Sequence, residues 1–135
     1  MEQRTYTLAE ANRVLPEVKG LAERIVEMVA ALPELQEQAR ARDYERRREA
    51  ARGSQTTEEE YQEAAGAVRG AELELARALA ELESLGVRLK DPGAGLMDFL
   101  SYRDGELVEL CWRLGEAEVG HWHRIGEGFP GRKPV

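Results

Sequence analysis

The sequence is poor in several features that mark common classes of protein. Cys111 is the only cysteine in 135 residues, so the chain has no internal disulfide. No apolar run is long enough to span a membrane, and residues 1–4 lead into polar sequence rather than a secretory segment. A net charge of −7 disfavours phosphate backbones as partners. The sequence therefore predicts a cytoplasmic protein that binds neither nucleic acid nor membrane.

Lysine and asparagine are also scarce. Arginine outnumbers lysine 16 to 3, and Asn12 is the only asparagine. This bias is compatible with a heat-adapted source, although GC-rich coding produces much of it. The length suits a single domain over residues 1–135, whose core needs neither a disulfide nor a structural metal.

Residues 1–85 are rich in Ala, Leu, Glu and Arg and predict two or three helices. Thr7 and Glu10 form a capping-box pattern at the start of the first helix. An apolar stripe follows with alternating steps of three and four residues: Leu8, Ala11, Leu15, Val18, Ala22, Ile25 and Val29. Pro16 and Pro33 are expected to kink or divide this helix, and residues 53–55 to form a turn.

A second apolar stripe runs from Tyr61 to Leu85 with the same spacing. The two stripes predict an antiparallel hairpin about 40 Å long, which we expect to project from the domain as an arm. Six arginines lie between Arg40 and Arg52, with acidic residues among them at spacings that suit pairs within one helix. This pattern predicts a solvated helix face rather than a nucleic-acid site.

Residues 86–135 hold most of the glycines and aromatic residues and predict a small antiparallel sheet of three to four strands. Turn residues separate the expected strands, which are Val87–Lys90, Leu96–Tyr102, Leu107–Arg113 and Val119–Ile125. The predicted fold class is α+β, with the long helical hairpin packed on this sheet. Both histidines, both tryptophans and the cysteine lie between Leu110 and Arg132, so we expect the functional site in this β-rich part.

Strand register predicts which side chains share a face. A two-residue turn at Asp104-Gly105 pairs Tyr102 with Leu107 and Phe99 with Leu110, and an even-length turn near Glu116 pairs Leu114 with Val119. One face then holds Phe99, Ser101, Val108, Leu110, Trp112, Val119, His121 and His123. The other holds Asp98, Leu100, Tyr102, Leu107, Glu109, Cys111 and Trp122. The first face is expected to pack toward the helices.

The triplet His121-Trp122-His123 is the centre of the candidate site. Alternate residues of a strand lie about 6.5–7 Å apart on one face, close enough for two imidazoles to chelate one ion. Glu10 and Glu17 of the first helix are expected to meet these rings. Glu116 lies in the preceding turn and is able to fold over either face.

Purely structural roles for the histidines and for Cys111 compete with the metal-site interpretation. Histidines beside a tryptophan on a strand often hydrogen-bond to backbone groups, and such a pair has no functional role. Asp98 is suitable by type but is predicted on the opposite face from the histidines. Cys111 is predicted on that face too, as a buried packing residue.

A pattern of short segments runs through nearly the whole chain: 6–12 with Leu15-Pro16, Gly86-Val87, Lys90-Asp91, 95–99, 110–112, Gly115-Glu116, Trp122-His123, Gly128-Phe129 and Gly131-Arg132. This pattern resembles the uncharacterised bacterial family called domain of unknown function 2203. The resemblance implies candidate site residues at the matching polar positions, which are Glu10, Asp98, Glu116, His123 and Arg132. The family more often has an aromatic residue at position 121 and an acidic one at position 124, so His123 is the more general candidate of the two histidines.

These observations predict an accessory protein that binds a divalent metal, iron or zinc, through His123, Glu116, a helix glutamate and His121. The alternative is a metal-free interaction module in which the helical hairpin forms a homodimer or binds another protein. An enzyme is the least favoured class, because the sequence contains no phosphate-binding loop, catalytic triad or two-histidine helix motif.

Overall fold

A computed structural model of the chain describes residues 3–50 and 55–135. This part contains two helices, α1 (Leu8–Glu49) and α2 (Gln55–Ser84), and five strands, β1 (Val87–Asp91), β2 (Leu96–Arg103), β3 (Glu106–Arg113), β4 (His121–Arg124) and β5 (Lys133–Pro134). The predicted α+β class, with a long helical hairpin and an antiparallel sheet, is confirmed. The short strand β5 was not predicted. Positions 53 and 54 of the expected turn lie outside the described residues.

Helix α1 begins at the predicted capping box. The backbone N–H of Thr7 donates to Glu10 Oε1 at 2.8 Å, and the N–H of Glu10 donates to Thr7 Oγ1 at 3.1 Å. The helix then continues to Glu49 without a break, so the expected division at Pro16 or Pro33 is wrong. Each proline removes one backbone donor, and the remaining hydrogen bonds and the packed apolar face maintain the helix. Across the described helices, no segment has the length and apolar character needed to cross a membrane.

The sheet is antiparallel throughout, in the order β1-β2-β3-β4-β5. Asp104 and Gly105 connect β2 to β3 with φ values of 51° and 79°. Positive φ at both central residues is what a two-residue hairpin turn of type I′ requires. The predicted pairings of Tyr102 with Leu107 and of Phe99 with Leu110 are therefore confirmed.

The chain divides into two compact units, residues 1–26 with 78–135, and residues 27–77. In the first unit the apolar face of the sheet and the apolar stripes of the helices are buried, at Ala11, Leu15, Val18, Leu21, Ala22, Ile25, Ala78, Leu82, Val87, Met97, Phe99, Val108, Leu110 and Trp112. Tyr6 joins this core by an edge-to-face contact with Phe99, with ring centroids 5.3 Å apart. Gly95 lies close to Val26 of α1, since a Cβ at Gly95 would be 3.3 Å from Val26 Cγ2.

The second unit contains the distal parts of α1 and α2. Arg42 pairs with Glu60 at 3.2 Å and Arg46 with Glu58 at 3.5 Å, which links the two helices. The guanidinium of Arg46 also stacks on the ring of Tyr61 at 4.1 Å. Four further ion pairs lie within α1: Arg40–Glu37, Arg42–Glu45, Arg46–Asp43 and Arg47–Asp43. Four of these arginines, Arg40, Arg42, Arg46 and Arg47, therefore have acidic partners, as their spacing predicts.

Candidate functional site

Three neighbouring strands bring the site residues onto one face of the sheet. Asp98 of β2 is paired with Cys111 of β3, which is paired in turn with His121 of β4. Glu109 of β3 is paired with His123 of β4. Cross-strand partners point to the same side of a sheet, and residues two apart on one strand do as well. All five side chains therefore belong to the face opposite Phe99.

The predicted faces of β4 are consequently wrong. His121 and His123 were expected on the Phe99 face and Trp122 on the Asp98 face, whereas the observed register reverses all three. Residues 114–120 form the connection between β3 and β4, and this odd number of residues shifts the pairing by one position relative to the expected Leu114–Val119 pair. A shift of one residue moves every side chain of a strand to the other face.

A contact with α1 fixes this connection. The N–H of Val119 donates to Asn12 Oδ1 at 2.7 Å, and Asn12 Nδ2 donates to the carbonyl of Val119 at 3.1 Å. Val119 was expected to be the first residue of the last strand. Instead its backbone pairs with a helix side chain, its own side chain is buried, and β4 begins only at His121.

Asp98, Cys111 and His123 form the most compact set of potential metal ligands among the described residues. One carboxylate oxygen, the thiol sulfur and one ring nitrogen all lie within 4.8 Å of one another. The three residues are 1–2% exposed. His123 Nε2 is 3.2 Å from Asp98 Oδ1, and His123 Nδ1 is 2.9 Å from the carbonyl oxygen of Arg124. Both ring nitrogens are thus directed at specific partners.

Two further charged groups adjoin this set. Glu109 is 3% exposed, and its Oε2 is buried without a hydrogen bond. The Lys90 ammonium is 4.0 Å from Glu109 Oε2 and 4.0 Å from Asp98 Oδ2. Arg88 is paired with Asp98, so alternation along β1 gives Lys90 the same face, just where the β1–β2 register shifts between Leu89 and Asp91. Burial, and after it the Glu109 carboxylate, raises the pKa of Asp98, while His123 and Lys90 oppose this rise.

Cys111 is buried, as predicted, but it shares its face with both histidines rather than lying opposite them. Burial raises the pKa of its thiol to about 11, with Asp98 adding to the effect. Arg132 Nη1 approaches the sulfur at 3.9 Å and partly offsets the rise. Even with the Arg132 guanidinium nearby, the sulfur is therefore a thiol at neutral pH.

Glu116, Arg132 and His121 form a second cluster on the same face. Arg132 donates to both carboxylate oxygens of Glu116, at 2.9 and 2.8 Å, and these bonds lower the Glu116 pKa. The N–H of Arg113 donates to Glu116 Oε1 at 2.7 Å, which holds the carboxylate in the turn. His121 Nδ1 is 3.7 Å from Glu116 Oε2 and makes no hydrogen bond. Both carboxylate oxygens of Glu116 therefore accept hydrogen bonds from the Arg132 guanidinium.

Glu10 and Glu17 are both exposed on α1. Glu10 is occupied by the capping box, and the backbone and hydroxyl hydrogen bonds of Thr7 lower its pKa. The expected meeting of these glutamates with the histidines depended on imidazoles on the Phe99 face. Because β4 has the opposite register, neither glutamate belongs to the compact set of ligands.

Sequence reasoning missed Glu109 and Lys90 and gave Cys111 a packing role. A signal for Glu109 was available, because it is a carboxylate between Leu107 and Cys111 on the same side of a strand with few other polar residues. The register shift next to Lys90 has no comparable sequence signal.

The chain was compared with curated proteins and with solved structures, and neither comparison found a match. A family profile does match, over residues 4–135, and it covers the helices, the strands and every site residue named above. The resemblance seen in the sequence is therefore confirmed, and the chain belongs to the family described as "Uncharacterized conserved protein (DUF2203)".

Proposed function

We propose that this protein binds one divalent transition-metal ion through Asp98, Cys111 and His123. The main support is the convergence of a carboxylate, a thiol and an imidazole within 4.8 Å of one another on one buried sheet face. Metal–ligand bonds of about 2.0–2.3 Å at tetrahedral angles separate neighbouring donors by roughly 3.3–3.8 Å. The three donors therefore need only small movements to share one ion. Thiolate and imidazole together favour zinc or ferrous iron over magnesium or calcium.

The orientation of His123 supports this assignment. A backbone carbonyl only accepts hydrogen bonds, so the contact with Arg124 fixes the proton on Nδ1. In the neutral ring, Nε2 then presents its lone pair toward the carboxylate of Asp98, 3.2 Å away. Two acceptors at this separation need a proton or a cation between them. Metal-binding histidines typically have their second nitrogen held by such a carbonyl.

The balance of charge also favours a divalent ion. Once the thiol ionises, Asp98, Glu109 and Cys111 carry three negative charges, and Lys90 supplies one positive charge. Arg132 is already paired with Glu116. Buried anions need compensation, so the remaining deficit of two positive charges matches one divalent cation.

The proposed ligands differ from those expected from the sequence. His123 is retained, and Asp98 and Cys111 replace Glu116, Glu10 and Glu17 as its companions. His121 is placed outside the ligand set, because its free ring nitrogen faces Glu116. Arg132 holds Glu116 and itself lies 3.9 Å from the thiol sulfur, also outside the ligand set.

Metal analysis of isosteric variants tests this proposal. Asp98→Asn, Cys111→Ser and His123→Gln proteins are purified without a tag, dialysed with zinc or ferrous iron, and analysed for metal beside the parent. We expect one ion per parent chain and at least a tenfold lower affinity in each variant. His121→Gln is the matched control and is expected to keep the parental stoichiometry. Circular dichroism verifies that the variants fold, and parental metal content in all three folded variants would refute the site.

Homodimer formation through the helical hairpin is a separate proposal. Two large apolar side chains of residues 27–77, Tyr44 and Leu73, are 68% and 52% exposed. Light scattering over a range of concentrations tests it, because a dimer gives a mass that rises with concentration. A constant mass of one chain would reject it.

A further inference from the structure

A small cleft opens beside two of the three proposed ligands, Asp98 and His123. It has a volume of ≈ 290 Å³ and brings Asp98, Glu109 and His123 together with Lys90 and an apolar wall formed by Leu96 and Phe129. Gly126 and Gly128 also line it, so that backbone rather than side chains forms part of the boundary. Its volume is close to the lower limit of about 300 Å³ for ligand sites. The cleft therefore suits a small molecule.

The three ligands leave one position of a four-coordinate ion without a protein donor. Structural zinc sites generally have four protein ligands, whereas catalytic sites have three and keep the fourth position for water or substrate. Glu109 is a further buried carboxylate, and it is not among the donors that lie within 4.8 Å of one another. It lines the cleft from outside the ligand set, a position that suits a carboxylate for contact with a water molecule bound in the cleft.

The surroundings of the Glu109 carboxylate support contact with a molecule bound in the cleft. Its side chain is buried on the sheet face, and its Oε2 accepts no hydrogen bond. Lys90, 4.0 Å away, is the nearest cation and is too distant for a hydrogen bond to this oxygen. Buried carboxylate oxygens are normally hydrogen-bonded, so this one is expected to have a partner in the cleft.

We propose, on the basis of the metal site proposed above, that the cleft is the substrate site of a hydrolytic centre in which Glu109 is the general base. The substrate class is a small ester or amide with an apolar group against Leu96 and Phe129. Asp98, Cys111 and His123 would hold the ion, which would supply Lewis-acid polarisation of the substrate carbonyl and of the attacking water. The Lys90 ammonium lies at the same cleft and attracts the negative charge that develops on the carbonyl oxygen.

The chemical step needs no other reagent. Glu109 Oε2 takes a proton from water, and the water oxygen forms a bond to the carbonyl carbon. The bond from this carbon to the leaving oxygen or nitrogen then breaks, and Glu109 returns the proton to the leaving atom. The products are a carboxylic acid and an alcohol or amine.

Binding of a small ligand to the cobalt-loaded full-length chain tests whether the coordination position is open. Acetohydroxamate is the probe, because it binds directly to open metal positions and changes the visible spectrum of cobalt. We expect a saturable spectral change in the parent. If cobalt binds and the probe leaves its spectrum unchanged, the site is closed and this inference fails while the metal site stands. If no cobalt binds, both proposals fail.

Hydrolysis of p-nitrophenyl acetate by the zinc-loaded and metal-depleted chains tests the role of Glu109. We expect metal-dependent hydrolysis that falls by about 10²-fold or more in Glu109→Gln, because positioned general bases contribute about 10²–10⁴-fold. The variant should keep its zinc content and its response to acetohydroxamate. Glu106→Gln, an exposed change on the same strand, is the matched control and should hydrolyse at the parental rate.

Three results of this assay would overturn the inference. The first is the absence of metal-dependent hydrolysis by the parent. The second is an unchanged rate in Glu109→Gln. The third is loss of zinc from Glu109→Gln, which would make Glu109 a fourth ligand and the centre a closed one.

Discussion

Arg132 donates two hydrogen bonds to Glu116, from Nη1 to Oε1 at 2.9 Å and from Nη2 to Oε2 at 2.8 Å. The pair joins the turn after β3 to the C-terminal segment, and Arg132 also approaches Cys111. Because both side chains are mostly buried and the geometry is bidentate, removal of this ion pair should lower the free energy of unfolding more than removal of a surface ion pair.

Loss of the Glu116 charge should destabilise the fold in a pH-dependent way. Arg132 lowers the pKa of Glu116 below its ordinary 4.5, so the pair stabilises the protein above that pH, and this contribution disappears as the pH falls through the lowered value. At pH 7, Glu116→Gln should lose about 1–3 kcal/mol of unfolding free energy. The measurement is urea denaturation of metal-free protein from pH 7 to pH 3. The difference between parent and variant should shrink at low pH, and a constant difference would contradict this origin.

The two hydrogen bonds between Asn12 and Val119 should be a main support of the β3–β4 connection. Asn12→Ala removes both and leaves partly buried backbone groups without partners, at an expected cost of about 1–3 kcal/mol. Asn12→Asp is the matched variant, because it keeps the acceptor for the Val119 N–H and loses the donor. Its stability in urea should lie between those of the parent and Asn12→Ala. Equal stability of all three proteins would refute the importance of this contact.

Gly95 is constrained both by its positive φ and by a close neighbour, whereas Gly105 is constrained by its positive φ alone. Both glycines have positive φ, 65° and 79°, but a Cβ at Gly95 would be 2.7 Å from Leu114 Cβ, while a Cβ at Gly105 would meet nothing within 4 Å. Gly105→Ala should therefore cost only the conformational strain of about 1–2 kcal/mol. Gly95→Ala should cost about 1–3 kcal/mol more, since Leu114 must move. Thermal unfolding of the two variants tests this order, and an equal cost would show that Leu114 moves freely.

Local sequence patterns were sufficient to predict most of the fold. The capping box at Thr7 and Glu10, the apolar stripes of the helices and the turn at Asp104-Gly105 each depend on residues close together in the chain. Helix periodicity and hairpin register follow from such local chemistry. Strand β5 has only two residues and therefore no periodicity to recognise.

The composition of the site depended on a contact that the sequence does not reveal. Asn12 and Val119 are 107 positions apart, and their pairing delays the start of β4 until His121. The pairing of β4 with β3 differs by one residue from the expected register, and this shift places His123 on the same face as Asp98 and Cys111. The resemblance to the family named Asp98 and His123 together, whereas strand parity alone had separated them. The sequence therefore predicted the part of the chain in which the proposed ligands lie, but not which residues the fold brings together there.

Cobalt(II) titration of the metal-free protein tests the central claim most directly. A thiolate ligand gives cobalt an intense near-ultraviolet charge-transfer band, so the spectrum reports both the stoichiometry and the participation of Cys111. We expect saturation at one ion per chain, loss of this band in Cys111→Ser, and an unchanged titration in His121→Gln. A parent protein that shows no such band at saturating cobalt would contradict a metal centre at Asp98, Cys111 and His123.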